Sequence, residues 1–175
     1  LFIVDDGAGG TNRKVTASRL KTYAGGASVL GDLTDVSMDA TNFTDSLLIQ
    51  TNSDGSAPGT GTLSSANDNI GIGKNAFAAL TSAVDNVVLG NLAGAALTSA
   101  ARCILIGSDA GNDLTTATDA IFIGHGAGDG HDTEVRNIGI GLNALGGVVA
   151  GGEYNICIGG QAGATNTTGD KNIII

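Results

Sequence analysis

The chain has no tryptophan, one proline and only 3% aromatic residues among its 175 positions. A globular enzyme of this length usually packs several rings into its core, so a broad, ring-filled interior is excluded. Basic residues are scarce too: 8 Lys and Arg stand against 17 Asp and Glu, for a net charge of −9 and a pI near 4.3. No basic run exists, which argues against duplex nucleic acid and anionic membrane surfaces as partners. No stretch of about 18 uninterrupted apolar residues occurs, so no transmembrane helix and no membrane insertion are expected. The chain opens at Leu1 with neither an initiator Met nor a charged-then-apolar leader, and closes inside an aliphatic run. It reads as an ordered piece of a longer polypeptide.

What is present is repetition. A short aliphatic run closes on glycine at Ile70–Gly73, Val87–Gly90, Ile104–Gly107, Ile121–Gly124, Ile138–Gly141 and Ile156–Gly159, with a further copy at Ile173–Ile175. The closing glycines are 17 residues apart, except for a final step of 18. A fixed short period carrying one strand per copy predicts a parallel β-solenoid or β-roll, because no single repeat can bury its own apolar face. The fold class is therefore all-β, with about seven coils and the last one truncated. At a rise of roughly 4.8 Å per coil, seven coils span about 30 Å.

Counted from the residue before each run, the second and fourth slots (Ile70 and Ile72, Val87 and Leu89, and so on) are aliphatic throughout. Alternation puts them on one face, and that face is expected to be the coil interior. The third slot holds Gly71, Val88, Leu105, Phe122, Gly139, Cys157 and Ile174, without one polar side chain. A strand apolar on both faces is covered on both faces. The third slot is thus expected to meet other copies of the chain about a fibre axis. Val88, Leu105, Phe122, Cys157 and Ile174 are the candidate contacts of a homotrimer. Asn69, Asn86, Asn137, Asn155 and Asn172 precede the strands and are expected on the same outer face as amide ladders.

After each closing glycine comes a small-residue step at Ala76, Ala93, Ala110, Ala127, Ala144 and Ala162. Leu80-Thr81-Ser82, Leu97-Thr98-Ser99 and Leu114-Thr115-Thr116 then close the loop. The fourth coil has His131-Asp132-Thr133 in that place, and the fifth has Val148-Val149-Ala150 before an extra residue at Gly151-Gly152-Glu153; both departures, His131 included, are expected on the outer turn.

Residues 1–26 read as a separate module. Phe2 to Asp6 is a predicted strand, Gly7 to Gly10 a turn and Arg13 to Thr16 the return. Ala17 to Tyr23 is a predicted short helix capped by Thr16 and stopped by Gly25-Gly26. Residues 27–66 connect this module to the repeats of residues 67–175, with a predicted strand at Ser46–Gln50 and a junction loop at Asn52–Gly61.

The opening, with Asp5, its Gly-rich turn, Arg13-Lys14-Val15-Thr16 and Leu20, resembles a small module common in bacteriophage tail-fibre proteins. The segment from Leu33 to Ser65, followed by Asn-Ile-x-Ile-Gly repeats, is similar to fibre proteins of marine phages. The resemblance implies a structural segment of a trimeric virion appendage. Its partners would be its own copies, other tail proteins and a host-surface glycan or protein. The repeat also resembles the β-roll heads of trimeric bacterial adhesins, whose repeats are shorter; that reading implies a bacterial cell surface instead. The Thr81, Thr98 and Thr115 ladder prompts a third reading, an ice-binding solenoid, although it breaks at Asp132.

Sites are sparse. His125, Asp129, His131, Asp132 and Glu134 lie within ten positions, enough donors for a transition metal, but at a spacing that fits no standard signature. No metal is expected; His125 and His131 are the residues to watch. The nine-residue Gly-Gly-x-Gly-x-Asp repeat of calcium-dependent β-rolls is absent. Cys103 and Cys157 lie three coils apart, beyond disulfide reach, and are expected as small fillers near the inter-chain face. No nucleophile elbow, oxyanion motif or paired-carboxylate spacing is found, so neither enzyme activity nor a cofactor is expected.

Overall fold

The computed structural model describes residues 2–4, 13–15, 36–40, 42–50, 59–147 and 151–175. The chain divides into two units, Leu1–Leu33 and Thr34–Ile175. In the first, β1 (Phe2–Val4) and β2 (Arg13–Val15) form an antiparallel pair with Phe2 opposite Val15 and Val4 opposite Arg13. The turn and helix expected at 7–10 and 17–23 lie outside the described residues.

The second unit starts with an antiparallel pair, β3 (Val36–Ala40) and β4 (Phe43–Ile49). β4 is also the first rung of the solenoid. Its Phe43-Thr44 pairs with β5 (Ala66–Asn67), and its Leu47–Ile49 pairs in parallel with β6 (Ile70–Ile72). The strand expected at 46–50 is therefore longer, and belongs to the solenoid rather than to a connector. Parallel rungs follow in register: β7 (Val87–Leu89), β8 (Ile104–Ile106), β9 (Ile121–Ile123), β10 (Ile138–Ile140), β11 (Ile156–Ile158) and β12 (Ile173–Ile174). These make about six turns of a parallel β-solenoid.

The closing glycine explains how rungs stack so tightly. Gly107 has φ of 132°, and a methyl group built on it would come within 2.5 Å of the Gly124 carbonyl oxygen in the next coil. Only glycine both adopts that backbone and leaves room for the neighbouring chain. The chain then turns twice, as in coil two, where the Ala93 N–H reaches the Gly90 carbonyl and the Leu97 N–H the Gly94 carbonyl. A second parallel wall runs through Asn67, Val84, Ala101 and Thr118 before each new strand begins.

The structure reverses the expected facing of the strand. Val88, Leu105, Phe122 and Cys157 are fully buried inside their own coil, and Ile174 packs against the same core. They are lumen residues rather than inter-chain contacts. The second and fourth slots point outward, with Ile72 43% and Ile104 37% exposed.

The alternation of glycine with bulk in the third slot has an internal cause. Gly71 is matched by Phe77 six residues on, and Gly139 by Leu145; Val88, Leu105, Phe122 and Cys157 are matched by Gly94, Gly111, Gly128 and Gly163. Each coil places one larger side chain at one of the two positions. A methyl group at Gly71 would meet the Phe77 ring at 2.6 Å, and one at Gly128 would overlap the Phe122 ring. The lumen has room for one of the pair.

The asparagines form the expected ladder, but inside. Asn69, Asn86, Asn137 and Asn155 are buried. The Asn86 side-chain amide donates to the Val84 carbonyl at 2.9 Å and the Ala100 carbonyl at 3.0 Å, and its oxygen accepts the Cys103 N–H at 2.9 Å. The amide thus ties its own corner to the next coil. Cys103 and Ala120 interrupt the column.

Candidate functional site

Chemistry at this surface comes down to an aliphatic strip with a polar edge. Seven rungs present Ile70 and Ile72, Val87 and Leu89, Ile104 and Ile106, Ile121 and Ile123, Ile138 and Ile140, Ile156 and Ile158, and Ile173 outward, all half-buried or exposed. The side chains of one strand lie about 6.6 Å apart and those of successive rungs about 4.8 Å apart, so the strip is narrow and long. Parallel sheets ordinarily have both faces covered.

One edge is a column of corner residues two positions before the strand-leading slot: Asp85, Arg102, Asp119, Arg136, Tyr154 and Lys171, with φ between 56° and 60°. Non-glycine residues seldom adopt this left-handed conformation. Here each corner N–H donates to the previous coil, as Arg102 does to the Val84 carbonyl and Asp119 to the Ala101 carbonyl. Along the column, Arg102 Nε donates to Asp119 at 2.7 Å, and Arg136 lies 3.5 Å from the same carboxylate. The Arg102 hydrogen bond, then its charge and that of Arg136, hold the Asp119 carboxyl below the usual carboxylate range. Arg136 also donates to the Tyr154 hydroxyl at 2.7 Å, and both Arg136 and Lys171 lie over the Tyr154 ring. The column arises from the 17-residue spacing, which stacks Arg102 on Asp119 and Asp119 on Arg136.

The two histidines part company. His125 is exposed, with Nε2 3.8 Å from an Asp109 carboxylate oxygen. His131 is fully buried and stands below Leu80, Leu97 and Leu114, in the slot those leucines occupy in earlier coils. The expectation that it sits on the outer turn is corrected: the leading residue of the Leu-Thr-Ser segment points inward. No group of three His, Cys, Asp or Glu side chains able to hold a metal occurs among the described residues.

Both cysteines are free and buried in the chain's own core, where burial pushes the Cys103 thiol up to about 11. They fill the lumen rather than the neighbourhood of another chain. The threonine ladder is tied down as well. The Thr81 hydroxyl donates to the Thr98 carbonyl at 2.9 Å, the Thr98 hydroxyl to the Thr115 carbonyl at 3.1 Å, and the Thr115 hydroxyl to the Asp132 carboxylate. These hydroxyls bind neighbouring coils.

No family model, curated protein or solved structure matches the chain. No helix among the described residues is long and apolar enough to cross a membrane.

Proposed function

We propose that this chain is a non-enzymatic structural segment of a self-assembled rod, a homotrimer in which the outward aliphatic strips of three copies converge on a common axis. One observation carries the reading. A continuous column of isoleucine, valine and leucine runs the length of the solenoid on the outside, while the lumen is already filled. A strip this narrow suits side chains meeting around an axis better than a broad two-sheet sandwich, and its polar corner column supplies a rim for such an interface.

The resemblance of the sequence to phage fibres supports a virion tail fibre as the setting of such a rod. It would carry, or form part of, the appendage that meets a host-surface glycan or protein, and other tail proteins would hold it. The head of a trimeric bacterial surface adhesin uses the same assembly and is the alternative. The ice-binding reading loses its motive, since the threonine hydroxyls are donated to neighbouring coils.

Light scattering on the purified chain tests the assembly. A species near three times the 17.1 kDa monomer mass is expected. A folded monomer with the strip open to water overturns it.

A further inference from the structure

Coil four breaks two interior columns at once. The first runs Leu80, Leu97, Leu114 and then His131; the second runs Ala83, Ala100, Ala117 and then Glu134. His131 is fully buried, and neither ring nitrogen has a hydrogen-bond partner. Its ring lies 5.0 Å from that of Phe122, tilted by 59°. Its backbone N–H donates to the Gly128 carbonyl.

The charged groups around the ring are few. Glu134, on the same turn, is 6% exposed, and its carboxylate is already taken by the N–H groups of Asp132 at 2.9 Å, Thr133 at 3.2 Å and Gly151 at 3.2 Å. Asp132 is exposed and receives the Thr115 hydroxyl. Phe122 on the strand, Leu114 in the coil before and Leu145 in the coil after carry no charge. A neutral imidazole sits in this column at the cost of unmade hydrogen bonds. An imidazolium would be a buried cation, and burial outweighs the support that the Glu134 charge and the Leu145 carbonyl give it.

We propose that coil four is an acid-labile joint. Protonation of His131 opens the solenoid between Phe122 and Leu145, while the leucine-lined coils before it stay closed. The direction follows from the burial, which pushes the imidazole down to about 4 from its usual 6.5. Stability is complete above the unfolded value and is lost as the pH falls from about 6.5 towards about 4. Between pH 7 and pH 4.5 the opening equilibrium of this joint is expected to rise roughly fiftyfold to a hundredfold.

Amide hydrogen exchange on the full chain, expressed as protection against the intrinsic rate at each pH, reads this coil by coil. Acid should lower protection at Gly124, Arg136 and Ile138 while leaving Leu97 and Ile104 protected. In H131L, or in H131M should the leucine variant fail to fold at pH 7, the acid loss should vanish. Two results overturn the proposal: acid loss that persists in the histidine variants, or acid loss abolished by E134Q alone, which would make the carboxylate the sensor.

Discussion

Ile121 and Phe122 are consecutive residues of one strand and meet opposite environments. Phe122 fills the lumen, shoulder to shoulder with Gly128, and is sealed from water. Ile121 belongs to a strip that no other described residue of the solenoid covers. The inner face is settled by volume, with one larger side chain per coil, whereas the outer face is uniform and repeats Ile, Val or Leu without compensation. Uniformity suits a surface whose partner is itself repetitive. Compensation suits a closed space of fixed size.

The sharpest way to break the contrast is to place one carboxylate on each face. F122D puts an unpaired charge in a dry column and should cost at least about 4 kcal/mol, enough to remove the cooperative thermal transition. I121D should leave the circular dichroism of the coil unchanged and reduce the assembled mass to that of a monomer. Equal damage from both would erase the distinction between the faces.

Next in size is the volume rule. G71V crowds Phe77 and Leu48, and should destabilise by about 1–3 kcal/mol. F77G empties the site and should cost about 3–5 kcal/mol. The double variant reproduces the Val88 and Gly94 arrangement of coil two, so chemical denaturation should show the two losses cancelling in large part rather than adding.

A smaller effect is expected from N86A. It leaves the buried Cys103 N–H without its acceptor, while the Val84 and Ala100 carbonyls keep the N–H groups of Arg102 and Val84, at about 1–3 kcal/mol. Smallest is R102A on the exposed edge, where the pair with Asp119 is screened by water. Its shift in melting temperature should be slight and should disappear in high salt.

Much of this was readable from sequence, and the main error has a definite cause. The period located every rung from β6 to β12, and the shared apolar character of slots two, three and four marked the strands. Period-two alternation assigns residues to two faces but does not say which face is inside when both are apolar. The missing sign lay six residues downstream. Gly71 with Phe77 and Gly139 with Leu145, against Val88 with Gly94, is a trade that only a confined volume requires. His131 was misplaced for a related reason: Thr and Ser draw attention to the outward part of Leu-Thr-Ser, while the leading leucine sets the inward column. The corner column of Arg102, Asp119 and Arg136 carries no local motif at all and emerges only when coils are laid over one another.

The volume trade has a consequence for how such a rod could change length. Each coil from β6 to β11 brings the same stock of parts: one filler, one facing glycine, one closing glycine and one outward aliphatic pair. Junctions between the regular coils before β9 therefore present nearly the same strand and filler surfaces, and a unit of 17 residues there can be copied or excised with little retuning of its neighbours. The rod behaves as a ruler graduated in steps of about 4.8 Å. Evolution could set its reach by counting.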